Sequence, residues 1–207
     1  MALSRRHFII GALAIAGNAQ QKTGTHRLDA SAWQSVGGGS WTAQDSEIAG
    51  RREMGKQGAG FLLTREEFQD FRLNLSFWIS AGGSSAILIR EPRRKWGPAS
   101  SDGPGSGPSG GYEIAIDYHD PENPTGTIRD VQKPDVQKPK KIAGAAEQWN
   151  ELEIFCRGPE LRVTIAGQKI NRADQLRVQP GVIGFKIADN APRNLLVRFQ
   201  DVVVTSL

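Results

Sequence analysis

One cysteine, Cys156, stands in 207 residues, so an intramolecular disulfide framework is excluded. Three histidines with no Cys/His spacing leave no zinc-finger pattern. Excess charge of one sign is also scarce. Lys and Arg total 26 against 22 Asp and Glu, a formal +4, which becomes 24 against 22, or +2, when Arg5 and Arg6 of an N-terminal segment are discounted. The basic residues gather only at Arg93-Arg94-Lys95 and at Lys138 to Lys141. They form no stripe of the sort that neutralises a phosphate backbone, so nucleic acid is not an expected partner. Sustained helical periodicity is missing as well, and only Arg65 to Asp70 offers a single turn.

The first 19 residues read as an address. A basic start containing Arg5-Arg6 is followed by nine apolar residues, Phe8 to Ala16, and then by small residues at Gly17 and Ala19. This is the grammar of a cleaved signal peptide. Nine residues fall well short of the ~20 needed to cross a hydrocarbon core, so no stable membrane insertion is expected after cleavage. Ser4-Arg5-Arg6-His7-Phe8-Ile9 resembles the twin-arginine motif, and a periplasmic or extracellular location is expected. Residues 20–28 read as a linker and 29–207 as one domain.

Within that domain the apolar residues recur with period two, in short runs closed by glycine, proline or asparagine. Leu73, Leu75, Phe77 and Ile79 alternate with Asn74, Ser76 and Trp78, and Tyr112, Ile114 and Ile116 alternate with Glu113, Ala115 and Asp117. The pattern predicts half-buried antiparallel strands, and the uneven strand lengths predict an all-β, two-sheet antiparallel sandwich. Two long connections interrupt it. Glu91 to Gly111 is rich in proline, glycine and serine, and His119 to Gln148 carries Asp-Val-Gln-Lys-Pro twice, at Asp130 to Pro134 and Asp135 to Pro139. Two copies make a local duplication in a loop, not a repeat architecture.

The order of segments is distinctive. Reading from Asp29-Ala-Ser-Ala-Trp33 through Phe68-Gln-Asp-Phe-Arg-Leu73, Ser84-Ser-Ala-Ile-Leu-Ile-Arg90, Gly111-Tyr-Glu-Ile-Ala-Ile-Asp117, Trp149-Asn-Glu-Leu-Glu-Ile154 and Gly181-Val-Ile-Gly184 to Val197-Arg-Phe-Gln-Asp-Val202, the chain resembles the 3-keto-disaccharide hydrolase domain family. The resemblance implies a concanavalin A-like, laminarinase-type jelly roll and a link to sugars oxidised at C3. Where that family commonly shows Asn-Ser-Gly, this chain has Ser84-Ser85-Ala86. Asn-Gly becomes Ala166-Gly167, a glutamine becomes Ala115, and Leu-Gln becomes Phe185-Lys186.

Arg90, Glu113 and Asp117 are the catalytic candidates. If Ile114 and Ile116 face the core, Glu113, Ala115 and Asp117 share the other face, and Leu88 and Arg90 can occupy the matching face of a second strand. Two carboxylates four residues apart on one strand lie roughly 13 Å from each other. Glycosidase pairs stand about 5 Å apart for retention or about 6.5–9.5 Å for inversion, so ordinary polysaccharide hydrolysis is disfavoured. A C3 ketone changes the requirement, because it acidifies the C2 proton. One base, Glu113, and one stabiliser, Arg90 or a metal, would then allow elimination of the C1 substituent and later hydration. Trp78, Trp96, His119 and Tyr112 are the candidates for contacting a sugar ring or its hydroxyls. No metal site is assigned, although a divalent cation could sit near Asp117, His119 and Asp120. The expected partner is an oligosaccharide or glycoside. The alternatives are glycan binding without turnover and a structural module presenting an apolar edge at Val202 to Val204. Cys156, in register with Leu152 and Ile154, is expected in the core.

Overall fold

The computed structural model describes residues 24–44, 46–52, 58–93, 110–130, 143–188 and 192–207. The signal-like segment, Trp96 and most of both pentapeptide copies lie outside them. Among the described residues the elements are β1 (Thr25–Arg27), a 3₁₀ turn (Ala30–Ala32), β2 (Trp33–Gly37), β3 (Gly39–Gln44), β4 (Glu47–Arg52), β5 (Gly60–Phe68), β6 (Phe71–Ile79), β7 (Ser84–Glu91), β8 (Tyr112–Asp117), β9 (Ile128–Asp130), β10 (Asn150–Arg157), β11 (Glu160–Ile165), β12 (Gln168–Ala173), β13 (Gly181–Ile187) and β14 (Leu196–Ser206).

They form two antiparallel sheets. The back sheet runs β12-β11-β10-β6-β14-β4-β3, with β1 pairing onto β14, and the front sheet runs β2-β5-β13-β7-β8-β9. Two expectations are corrected here. Thr25 to Arg27, read as linker, pairs with Thr205 to Val203, a three-residue strand too short for alternation to announce. Arg65 to Asp70 forms no helical turn, because it is the end of β5 and the tight connection into β6. The second long loop also contains β9, whose Ile128 pairs with Ile114.

Period-two patterning places the core between the sheets. On β6 each of Phe71, Leu73, Leu75, Phe77 and Ile79 is buried while the residues between are exposed or half-buried, as expected of a sheet with one solvated face. Phe185 of β13 stacks on Phe199 of β14 with centroids 3.8 Å apart and rings 7° from parallel, and the Trp33 ring lies 5.0 Å from that of Phe185. This stack ties the two sheets together near their centre. Cys156 is a free, buried member of the same core, and burial pushes its thiol up to about 11. Val202 and Val204 are buried too, so the apolar edge that would have marked an interaction module is absent there.

The front sheet differs, since β7, β8 and β13 are buried on both faces. Phe61, Leu63, Leu88 and Val182 make a second apolar cluster on the face turned away from the core. Next to that cluster, on the same face, the side chains become polar.

Candidate functional site

The polar part of that face is a cleft of about 420 Å³, lined by Glu113, Asp117, His119, Asp120, Arg129 and Lys186 over a floor that includes Ala86 and Ala115. Its construction follows from register. β7 and β8 pair without a bulge from Ser84↔Asp117 to Ile89↔Tyr112. Ile87, Ile114 and Ile116 therefore all enter the core, and Ala86, Glu113, Ala115 and Asp117 all face the cleft. Because the strand is unbulged, the spacing of roughly 13 Å between Glu113 and Asp117 stands.

Glu113 is nearly buried, with a side chain 8% exposed, and each of its oxygens meets a cation. Oε1 accepts from Arg129 Nη1 at 3.0 Å and Oε2 from Lys186 Nζ at 2.8 Å. Arg129 is its direct cross-strand neighbour on β9. Lys186 comes from farther away. Its Cα partner on β7 is Ala86, whose own partner on β8 is Ala115, so the ammonium group crosses two inter-strand spacings of about 4.8 Å each. Methyl groups at Ala86 and Ala115 leave the floor low enough for the lysine stem to lie across it. The side chains named from sequence did not include Lys186 or Arg129 among the site residues. A signal for Lys186 existed, since it is the one charge in the apolar run Val182 to Ile187 and alternation puts it opposite Phe185. Arg129 fell inside a presumed loop.

At the other end of the cleft Asp117 is buried and organises the turn after β8. Its Oδ1 accepts the backbone N–H groups of His119 and Asp120, both at 2.8 Å, and its own N–H donates to Thr125 Oγ1 at 2.8 Å. Asp120 in turn accepts from Glu122 N–H at 2.8 Å and Asn123 Nδ2 at 3.0 Å. The Asn123 amide, foremost, holds the Asp120 carboxyl below the usual range. These carboxylates are used as turn acceptors, and no group of three metal-ligating side chains converges among the described residues. Tyr118 points the other way, donating to Ala143 O at 3.0 Å, and burial pushes its phenol up to about 12.

Glu113, Asp117 and His119 are thus brought to one cleft, but three other predicted residues are not. Arg90 is corrected most clearly. Leu88 pairs with Gly184 and Glu91 with Val182, so β7 carries one extra residue there, and Arg90 sits in that bulge at φ 49°. The bulge reverses the alternation and sends the guanidinium into the interior, fully buried. There it donates from Nε to Gln69 O at 2.8 Å, from Nη1 to Arg177 O at 3.1 Å, and from Nη2 to Asp70 Oδ1 at 3.0 Å. Gly111 and Gly181 make room for the bulge, since a Cβ on either would stand 2.3 Å from the Ile89 oxygen or the Arg90 carbonyl carbon. Tyr112 faces the core, and its hydroxyl accepts the Arg177 N–H at 2.6 Å. Trp78 lies on the outer face of the back sheet, paired with Arg198, on the far side of the core from the cleft. The guanidinium of Arg198 stands 5.0 Å from the ring centre of the part-exposed Trp149. Trp96 lies outside the described residues.

Two antiparallel sheets with a polar cleft on one outer face define a protein of the jelly-roll class. More specifically, residues 24–205 match the family described as the 3-keto-alpha-glucoside-1,2-lyase-like domain, and the chain belongs to that family. Solved structures share the fold. A carbohydrate-binding module from Bacillus subtilis is 17% identical with a TM-score of 0.61, over 84% of this chain and 96% of that one. A protein of unknown function with a galectin-like fold from Bacillus subtilis is 13% identical with a TM-score of 0.63, over 89% and 97%. A beta-1,3-1,4-glucanase (lichenase) derived from a mouse hindgut metagenome is 13% identical with a TM-score of 0.50, over 86% and 94%. At these identities the likeness concerns the fold alone. No curated protein gives a significant match.

Proposed function

We propose that the cleft cleaves the glycosidic bond of 3-keto glycosides, beginning with removal of the C2 proton. One observation carries the reading: of the three carboxylates lining the cleft, Glu113 alone contacts two cations, while Asp117, four residues along an unbulged strand, and Asp120 are held as turn acceptors. That spacing suits neither a retaining nor an inverting carboxylate pair. It suits a substrate whose own carbonyl makes one base sufficient. Glu113 takes the C2 proton, Lys186 and Arg129 offset the negative charge that develops toward the C3 oxygen, and the C1 substituent leaves. Asp117 orients the turn that presents His119 to the remainder of the glycoside. The N-terminal segment would deliver the domain to the periplasm or beyond, where glycosides are met.

The test is turnover of 3-keto-trehalose and methyl 3-keto-α-glucoside by the purified protein, followed by mass spectrometry. Glu113→Gln should lower the rate about 10²–10⁴-fold while the fold is retained. Full activity in that variant would remove the base assignment. A second reading is favoured by the engagement of both Glu113 oxygens by cations, which leaves the carboxylate serving as a bracket: glycan binding without turnover. Calorimetric binding of keto and parent sugars with no product from any of them would establish it.

A further inference from the structure

We infer that Lys186 acts as a nucleophile, condensing with the C3 carbonyl of the substrate to form an iminium; this rests on the keto-glycoside reading above. Lys186 and Lys169 are the lysines among the described residues, and Lys186 is the one in the cleft. Its side chain is 21% exposed, so the amine is reachable yet held. A cation that served only to offset charge could equally be a second arginine. An ammonium differs in that it can surrender a proton and present a lone pair to a carbonyl. The acceptor for that proton is in place, since Glu113 Oε2 lies 2.8 Å from Nζ. Arg129 stays on Oε1 and fixes the carboxyl plane, so that Oε2 remains aimed at the amine through each transfer. Ala86 and Ala115 line the same cleft with small side chains, and its volume of about 420 Å³ falls within the usual range of roughly 300–1,000 Å³ for small-ligand sites.

The steps balance. Glu113 takes one proton from the Lys186 ammonium. The nitrogen lone pair forms a bond to C3 while the carbonyl π pair moves onto oxygen. That oxygen collects the proton from Glu113 and one from nitrogen and departs as water, leaving the iminium. Glu113, again a carboxylate, removes the C2 proton, and the C–H pair becomes the C2=C3 bond of an enamine. Return of the enamine electrons restores the C=N bond, forms C1=C2 and expels the C1 oxygen, which takes a proton from Glu113 and leaves as the alcohol. One water adds across C1=C2 and a second hydrolyses the iminium. Two waters consumed and one released leave net hydrolysis, with Lys186 free.

The experiment incubates the full protein with methyl 3-keto-α-glucoside in the presence of sodium cyanoborohydride, then digests it and measures peptide masses, with turnover followed in parallel without the reductant. The expected result is an adduct on the Lys186 peptide, carrying the mass of the sugar less one oxygen or of the form left after methanol has gone. It should form ahead of any on Lys169, and Lys186→Arg, which keeps a cation beside Glu113, should show neither adduct nor turnover above the protein-free rate. Turnover with no adduct, or with adducts spread evenly over the lysines, overturns the covalent step and leaves keto-glycoside cleavage standing. A Lys186 adduct without release of methanol supports the condensation and overturns the cleavage reading. Neither adduct nor turnover overturns both.

Discussion

Replacing Arg90 separates a structural arginine from a catalytic one. Its guanidinium is fully buried and holds two backbone carbonyls, Gln69 O and Arg177 O, together with the Asp70 carboxylate. Arg90→Ala leaves the two carbonyls without their donor at about 1–3 kcal/mol each. Asp70 suffers less, because it is 26% exposed and also accepts the Gly158 N–H at 2.9 Å. The total of about 3–5 kcal/mol agrees with the usual cost of breaking a buried ion pair by removing one partner. For a chain of this length that corresponds to a fall in Tm of roughly 6–20 °C. The φ of 49° adds a finer expectation. Alanine keeps the left-handed strain and glycine does not, so Arg90→Gly should be less damaging than Arg90→Ala by about 1 kcal/mol. Urea unfolding followed by circular dichroism measures both, and calorimetry at a temperature where each variant is folded measures sugar binding. A variant stable to within 1 kcal/mol of the parent but unable to bind or turn over substrate would refute the reasoning and return Arg90 to the site.

Other perturbations act on independent parts of the structure. The β11–β12 turn holds Ala166 at φ 48° and Gly167 at φ 70°, a type I′ geometry in which asparagine is favoured over alanine at the first position. Ala166→Asn should therefore raise stability by about 0.5–1 kcal/mol, and a lower urea midpoint would contradict this. Asp117→Ala removes the acceptor for two backbone N–H groups and should cost about 1–2 kcal/mol, with weaker sugar binding as the His119 turn loosens. Asp117→Asn keeps an acceptor oxygen and should lose only a fraction of that; equal losses in the two variants would show that the hydrogen bonds are not the cause. Cys156 gives a pH dependence. Burial raises its thiol from an ordinary 9 to about 11, so the native state keeps the proton in a range where the unfolded chain has released it. The contribution is complete below about pH 9 and is lost as pH rises to about 11, amounting to roughly 2–3 kcal/mol. Cys156→Ala should flatten the alkaline slope of stability by that amount, and an unchanged slope would rule the thiol out.

Where each residue could be read in advance depended on whether alternation held. On β6, β8 and β10 it held without interruption, and the facing of Leu73 to Ile79, of Glu113 and Asp117 opposite Ile114 and Ile116, and of Cys156 was legible from spacing alone. At Arg90 it failed by one residue. An inserted position in a bulge moves every later side chain to the other face, and nothing in Ile-Leu-Ile-Arg-Glu announces the insertion. The glycines that permit it, Gly111 and Gly181, lie 21 and 91 positions further along, and their closeness to the bulge is a tertiary fact. Lys186 was hidden for the opposite reason. Its facing was readable, but its contact with Glu113 depends on β13 lying beside β7, and strand order is not carried by any local pattern.

That strand order also explains how Lys186 of β13 and Glu113 of β8 meet at the ends of their side chains. Had β13 lain next to β8, Lys186 and Glu113 would have met as an ordinary cross-strand pair low on the sheet, with their side chains spent on each other. With β7 between them, and alanine at its crossing point, the contact is made at the ends of two long side chains, over a floor of small residues. The groups are therefore close enough to exchange a proton and placed where a ring can reach both. Filling that floor is the matching perturbation: Ala86→Leu should leave the Ile87 side of the strand and the inter-sheet core in place, raise the floor beneath the lysine stem, and reduce binding of keto sugars by calorimetry. Undiminished binding with an unchanged fold would mean that the sugar does not lie over this crossing.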